Sequence, residues 1–415
     1  MPAISNLRLK KTVRIWLALT LLLITSSGLL LTKFLGNTHK SWSNAEWQVI
    51  HSLSLNALQT KPDHSNKYAQ NPSAAALGEK LFFDKRLSQN GEISCATCHH
   101  PDNYFTDGRI IALGQKIGKR NTPSLHGVAH NTWFFWDGRK DSLWSQALAP
   151  FENAAEHNFS RTNVAKLLFT DPTYNTLYTD VFGSNELPDL LALPDNAQPS
   201  GTITQIKAWK NIPAVNKRSI NKLFANTGKA LAAFITTIQP LRTRFDDYVD
   251  AYNSGQHDNK HLNDFELAGL RLFISPKAQC INCHFGPLFT NQSFHNVGTG
   301  RAGTDSGRAA ALDKIRFDTF NCLGDYSDAS DEQCNDLKFM QRDRHSLWGA
   351  FKTPTLRNVS NTAPYFHDGR SKTLAEVIDH YTQLETDKTH LQALELSAEE
   401  KQYLIAFLTA LTSTE

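Results

Sequence analysis

The 415-residue chain has almost no net charge, +3 from 43 basic and 40 acidic residues, and its Lys and Arg are scattered among acids. Without a large basic stripe there is no footprint for nucleic acid, and the charge reads as ordinary solvation. Strand-like alternation is also scarce, which argues against a sheet-built fold. At 40% hydrophobic and 20% charged, the chain shows no sign of bulk disorder and is long enough for two domains with buried cores. Cysteine is sparse. Only six are present, and four of them fall in two copies of one five-residue pattern.

The copies are Cys95-Ala96-Thr97-Cys98-His99 and Cys280-Ile281-Asn282-Cys283-His284. Two thiols that can add to haem vinyl groups, followed at once by an imidazole, read as covalent haem c attachment. His99 and His284 are then the expected proximal ligands of two haem irons. A redox dithiol or half of a zinc site leaves each following His unexplained, and structural zinc needs a further paired ligand set that neither copy has nearby. The remaining pair, Cys322 and Cys334, encloses an acidic, turn-rich segment with Gly324, Asp325, Asp328 and Asp331. A loop-stapling disulfide is the preferred reading, with free thiols or a metal site as the alternatives.

At the N-terminus, Arg8, Lys10, Lys11 and Arg14 precede an uncharged run of 18 residues, 15–32. At ~1.5 Å per residue it covers about 27 Å, near the hydrocarbon thickness, so residues 1–36 are expected to be a signal anchor or signal peptide. No convincing small-x-small cleavage site precedes Trp42, which favours a retained membrane anchor. Positive-inside bias then leaves the remainder in a periplasm-like space, a compartment compatible with covalent haem attachment and disulfides.

Residues 37–74 are polar, broken by Pro62 and Pro72, and read as a tether with room for one short helix. Beyond them the chain echoes itself. A helical apolar stretch, 75–83, leads into the first cysteine motif, and a similar one, 265–273, into the second. Thr122-Pro123 lies fifteen positions before Asp137-Gly138-Arg139, and Thr353-Pro354 fifteen before Asp368-Gly369-Arg370. Phe135 aligns with Phe366, Trp136 with His367, and Ser142-Leu143 with Thr373-Leu374. The expected fold is therefore mostly α: two tandem cytochrome c-like haem domains, 75–255 and 256–415, after the transmembrane or signal segment.

The duplication distinguishes the two irons. The position thirteen after the Asp-Gly-Arg aspartate is Pro150 in the first unit and Tyr381 in the second. Proline offers no donor atom, whereas a phenolate oxygen can ligate iron; His380 and His367 are rival ligands, and core packing is the plainer role for Tyr381. Gln146 lies one helical turn before Pro150 and Glu156 six residues after it. A carboxylate over an open haem can move a proton between the peroxide oxygens, so Glu156 is the candidate acid–base group and Gln146 a positioning group; a solvated glutamate and a loop-capping glutamine are the simpler readings. Trp136, in an aromatic run from Trp133, serves either as core or as an electron relay between haems.

These motifs, LGEKLFFDKRLSQNGEISCATCHH, FFWDGRKDSLWSQALAP and KTPTLRNVSNTAPYFHDGRSKTLAEVIDHY, resemble the bacterial di-haem cytochrome c peroxidase and MauG family over residues 77–411. The resemblance implies a peroxide site at the first haem and a six-coordinate electron store at the second. Two departures point to the MauG- or MbnH-like branch. Leu113-Gly114-Gln115 stands where the peroxidases carry a switchable His, and Tyr381 where they carry a methionine ligand. The same branch implies that Gln146, Pro150 and Glu156 form the distal pocket and that Trp136 is the inter-haem tryptophan. It also implies a calcium ion held by the Asn121 side chain and the Thr362 and Pro364 carbonyls, although Asn121 equally suits an ordinary turn.

The activity expected from this resemblance is oxidation of aromatic residues, especially Trp, on a partner protein by H2O2. The alternatives are reduction of H2O2 with electrons from a small cytochrome c, or an electron-transfer or sensing module with two closed haems. The Cys322–Cys334 insertion and His157 differ from the MauG pattern and bear on the substrate more than on the mechanism.

Overall fold

The computed structural model describes residues 42–184, 190–256, 260–300, 305–385, 389 and 391–413. The expected anchor at 15–32 lies outside them, and among the described residues no helix is long and apolar enough to cross a membrane.

Helix dominates, as the scarcity of alternating patterns implies. The longer helices are α1 (Asn44–Ser52), α2 (Pro72–Phe83), α3 (Leu143–Glu152), α4 (Arg161–Thr170), α5 (Pro172–Phe182) and α6 (Ile203–Asn211). They continue with α7 (Ala214–Thr236), α8 (Arg244–Asn253), α9 (Asp264–Phe273), α10 (Arg308–Arg316), α11 (Leu374–Thr382) and α12 (Ala398–Ala410). Sheet among the described residues is confined to β1 (Phe294–His295) and β2 (Phe351–Lys352), antiparallel with Phe294 opposite Lys352.

Apolar side chains bury in two main clusters. The first runs from Leu77 to Ile238 and adds Phe320; the second takes Ile50 and Leu53, then runs from Phe245 to Leu411. The hydrophobic packing therefore divides between Ile238 and Phe245, ahead of the expected 255/256 boundary, because α8 turns Phe245, Tyr248 and Val249 into the second cluster. The tether reading also needs correction from Trp42 onward. Ser43 and Glu46 form a capping box that starts α1, and Trp47 stacks on Tyr252 at 3.9 Å. Trp42 donates its indole N–H to the Tyr248 hydroxyl at 2.6 Å and lies under the Arg271 guanidinium at 4.2 Å. An apolar face at helical spacing holds this segment against the second cluster.

The sequence echo is a structural one. In each unit a helix ahead of the cysteine motif crosses a later helix at a glycine: a Cβ on Gly78 would collide with the Ala230 carbonyl of α7, and one on Gly269 with the Tyr403 carbonyl of α12. The close approach buries Leu77, Leu81 and Phe82 in one unit and Leu267, Leu270 and Phe273 in the other, each side chain worth ~1.5–3 kcal/mol. Phe135 and Phe366 both adopt left-handed φ, 68° and 65°, and Gly138 and Gly369 follow at 63° and 62°. Matching bridges, Phe134 with Lys140 and Tyr365 with Ser371, close the two turns. Ser142 and Thr373 then cap α3 and α11, accepting from the N–H groups of Ser145 and Glu376. Repeated turn and cap thus deliver Pro150 and Tyr381 to corresponding places.

Cys322 and Cys334 form the expected disulfide, with a Cα separation of 5.7 Å. It closes a loop over a small cluster of Trp133, Ile315 and Leu337, and the Cys322 N–H is held by Asp141 at 2.7 Å.

Candidate active site

Cys95 to Cys98 wind into one helical turn and Cys280 to Asn282 into a 3-10 turn, leaving His99 and His284 at the exits. The His99 Nδ1 lies 3.0 Å from the Phe105 carbonyl and the His284 Nδ1 2.8 Å from the Phe289 carbonyl. A carbonyl only accepts, so Nδ1 carries the proton and Nε2 keeps a lone pair for iron. The Pro123 and Pro354 carbonyls of the two Thr-Pro loops also face these rings. Burial pushes both imidazoles below their ordinary value, His284 to about 4, which keeps them neutral. The four motif cysteines are unpaired, and burial pushes Cys95, Cys98 and Cys280 up to about 12. Among the described residues no cluster of His, Cys, Asp or Glu is built for a free metal ion. One neutral imidazole beside two unpaired thiols fits a covalently attached haem at each motif.

Gln146 and Pro150 lie one turn apart on the half-buried face of α3, while Trp144, Leu148 and Phe151 fill the core behind. Glu156 follows in a tight turn whose 156 N–H returns to the Asn153 carbonyl at 3.0 Å, and the Asn153 amide donates to Glu156 Oε1 at 2.5 Å. Burial raises the Glu156 carboxyl, against the opposing charge of Arg139 and the Asn153 bond. Its charge acts on both Cys95 and Cys98, so the carboxylate shares the pocket of the first motif.

The loop carrying Gly114 presses on this turn. The Gln115 and Lys116 N–H groups bond to the Glu156 and Ala155 carbonyls at 3.0 and 3.1 Å, and a Cβ on Gly114 would sit 2.6 Å from the Ala155 oxygen. Gln115 spends its side-chain amide on Asn90 Oδ1 at 2.6 Å. His157 turns away: its Nδ1 lies 2.8 Å from the Leu87 carbonyl and its ring packs on Phe151, so it is a core residue.

At the second motif, Tyr381 sits near the end of α11 with its hydroxyl raised above its ordinary value, first by burial and then by Cys280 and Cys283. That dependence sets the phenol beside the second pair of thiols. Of the two rival ligands, His380 has its ring nitrogen bonded to backbone and His367 has its ring stacked. His380 Nε2 lies 2.7 Å from the Val297 carbonyl, and His367 is buried, stacked on Phe351 at 3.6 Å with Asp305 nearby.

Trp136 stands between the units. Its indole N–H donates to the Asn121 carbonyl at 3.0 Å, and its own carbonyl accepts the Lys352 N–H at 2.8 Å. Asn121 and Lys352 are the corresponding residues ahead of the two Thr-Pro loops, so one tryptophan is bonded to both loops that face the two histidines. Next to it Asp137 is buried and paired with Arg120 and Arg139 at 2.8 and 2.9 Å, and Arg120 continues to Asp305 at 2.7 Å.

Asn121 also donates its side-chain amide to the Arg109 carbonyl and its N–H to the His367 carbonyl, each at 2.8 Å. Its amide oxygen keeps acceptor capacity for a cation. Sequence reasoning overlooked Arg139, Asn153 and Lys352. Asn153 alone carried a local signal, an Asn three residues before the candidate carboxylate, where it can form an Asx turn.

Two His-anchored thiol pairs in a duplicated, mostly helical chain define a di-haem c-type cytochrome. The sequence matches the family described as "Di-haem cytochrome c peroxidase" over residues 72–254. The methylamine utilization protein MauG of Methylorubrum extorquens is 32% identical over 346 residues, covering 82% of this chain and 78% of that one. The cytochrome c551 peroxidase of Nitrosomonas europaea is 28% identical, with 83% and 82% covered. The diheme peroxidase BthA from Burkholderia thailandensis shares the fold, with a TM-score of 0.60 at 21% identity over 86% of this chain and 90% of that one. The chain belongs to the di-haem cytochrome c peroxidase and MauG family and is a haem-dependent oxidoreductase acting with peroxide.

Proposed function

We propose that this enzyme uses H2O2 to oxidise aromatic residues, tryptophan above all, on a partner protein. The observation that carries the reading is the asymmetry of corresponding positions: Pro150, without a donor atom, in the first pocket, and the Tyr381 phenol beside Cys280 and Cys283 in the second. Gln115 in place of a switchable His, its amide engaged with Asn90, supports the same branch. When bound through the cysteines, the two haems supply redox-active irons.

The residues have separate tasks. His99 and His284 would hold the two irons through Nε2, and Tyr381 would supply an oxygen ligand only at the second site. Glu156, whose carboxyl burial raises above its ordinary value and which accepts from the Asn153 amide, would hand a proton to the departing peroxide oxygen. Gln146 positions peroxide by hydrogen bonding, and Pro150 leaves the space beside it free. Breaking the O–O bond to give water consumes an electron pair and a proton pair. The electrons come from the partner side chain through the second unit and Trp136, whose bonds to both Thr-Pro loops support a relay. Calcium held by Asn121 with the Thr362 and Pro364 carbonyls belongs to this reading as a stabiliser of the same region. The Cys322–Cys334 disulfide supports a periplasm-like compartment, with the 15–32 segment as anchor.

The test uses the di-haem holoenzyme. Expected are a high-spin ferric EPR signal at rest, slow turnover with reduced small cytochrome c, and peroxide-dependent oxidation of tryptophan in a protein encoded beside the enzyme, read by peptide mass spectrometry. Rapid turnover with the cytochrome and unmodified protein would transfer the assignment to a peroxide-detoxifying peroxidase.

A further inference from the structure

Lys352 is a half-buried lysine near the site and, among the described residues, has no carboxylate partner. It closes β2, directly ahead of Thr353-Pro354, and its backbone N–H is the one bonded to Trp136. Its ammonium makes a single long bond, 3.3 Å to the Thr353 carbonyl. Neighbouring cations are satisfied: Arg120 and Arg139 pair with Asp137, Arg370 with Asp368, and Lys140 with Asp318. Arg308, the other cation here without a carboxylate, bonds to the Asp137 and Gly138 carbonyls and lies over Trp133 and Phe294, each at 4.2 Å.

Lys352 has no such compensation. Burial alone pushes its ammonium down to about 8. Holding a lysine charge half-buried without an anion is unfavourable, so the site suits a carboxylate from outside the chain. Two positions along, the Pro354 carbonyl faces the His284 ring, which puts Lys352 at the edge of the second thiol pocket. The corresponding residue of the first unit is uncharged Asn121, whose amide is turned to a backbone carbonyl.

We propose that Lys352 is the counter-ion of a propionate carboxylate of the second haem and thereby holds that haem's reduction potential up. The inference rests on the presence of two haems and not on which substrate the enzyme oxidises. A nearby cation favours the reduced iron, which carries one positive charge fewer. Lys352→Met removes the cation, leaves the carboxylate uncompensated, and lowers the potential on both counts.

The experiment is a spectroelectrochemical titration of the di-haem protein as wild type, Lys352→Met and Lys352→Arg. Expected for Lys352→Met is about a tenfold smaller reduced-to-oxidised ratio of the second haem at fixed potential, which for one electron is 59 mV. The first haem should move less, and Lys352→Arg should restore most of the loss. Unchanged titration of the second haem in Lys352→Met, a shift confined to the first haem, or Lys352→Arg behaving like Lys352→Met would each overturn the assignment. Should Lys352→Met fail to accumulate with two haems, Lys352→Gln carries the same comparison. Loss of the second haem in both neutral variants with retention in Lys352→Arg supports the pairing, and loss in all three refutes it.

Discussion

The Trp136 carbonyl accepts the Lys352 N–H at 2.8 Å, while the indole of the same tryptophan reaches back to Asn121 in the other Thr-Pro loop. Trp136 is therefore fixed at both ends, by main chain on one side and by ring nitrogen on the other. Trp136→Phe keeps an aromatic ring but removes the N–H, a loss of ~0.5–1.5 kcal/mol that a 415-residue chain tolerates. The prediction is a protein with both haems attached in which peroxide still reacts at the first site but the second haem responds more slowly. Rapid-mixing absorption spectra distinguish the two haems. An unaltered response of the second haem removes Trp136 from the electron path.

Glu156 is held by Asn153 and by the backbone of the Gly114 loop, so Glu156→Gln preserves the shape of the turn while removing the proposed proton carrier. The reaction with peroxide should slow by roughly 10²–10⁴-fold, the usual worth of a positioned acid–base group. Asn153→Ala should give a smaller loss in the same direction, since it frees the carboxylate without deleting it. Stopped-flow measurement with excess H2O2 checks both. If Glu156→Gln reacts at the wild-type rate, the carboxylate is only structural.

The phenol of Tyr381 lies beside Cys280 and Cys283, while His380 is bonded to the Val297 carbonyl and the His367 ring is stacked on Phe351. Tyr381→Phe should therefore leave the second haem without its distal ligand and add a second high-spin ferric component to the resting EPR spectrum. Tyr381→Met should keep a six-coordinate site and raise its potential, since a thioether favours the reduced iron. A low-spin spectrum unchanged in Tyr381→Phe would show that another group ligates.

Much of this site is written locally in the chain. Each cysteine motif carries its own histidine, and the equal offsets from Thr-Pro to Asp-Gly-Arg to Pro150 or Tyr381 survive because turn and cap are short-range devices. What local patterns hide are partners brought together by packing. Arg120 meets Asp305 across 185 positions, and Arg357 meets Asp246 across 111. For the same reason α8 looks like the tail of the first unit in sequence yet packs in the second, and Trp42 and Trp47 look like tether until Tyr248 and Tyr252 are beside them. Lys352 carries no local signal, since its half-buried place beside Trp136 arises only in the fold.

Gly269 marks the closest approach of α9 to α12, just as Gly78 does for α2 and α7. Gly269→Ala would normally favour a helix by up to ~1 kcal/mol, but here the added methyl meets a backbone carbonyl that cannot rotate away. Overpacking of this kind costs ~1–3 kcal/mol, so the net effect is destabilisation, with a lower melting temperature read at the second haem's absorption bands. A stability at or above wild type would mean that the two helices separate without cost.

Asp246 joins α8 to the loop after the second Thr-Pro motif through two bonds from Arg357, at 2.7 and 3.0 Å, with both side chains almost wholly buried. Burial alone would raise its carboxyl. The Arg357 bonds and charge, with the Leu55 and Thr243 N–H groups, outweigh that and hold it below the usual carboxylate range. A carboxyl whose folded value is depressed contributes stability that is present above its unfolded value, ~3.9, and is lost as pH falls through the folded one. Asp246→Asn leaves the Arg357 charge buried and unpaired, which costs ~3–5 kcal/mol near neutral pH. Denaturant midpoints measured from about pH 7 down to pH 3 should fall steeply at the acid end for wild type and less steeply for Asp246→Asn, so the two converge in acid. Parallel profiles separated by a constant offset would show that the pair contributes shape and not charge.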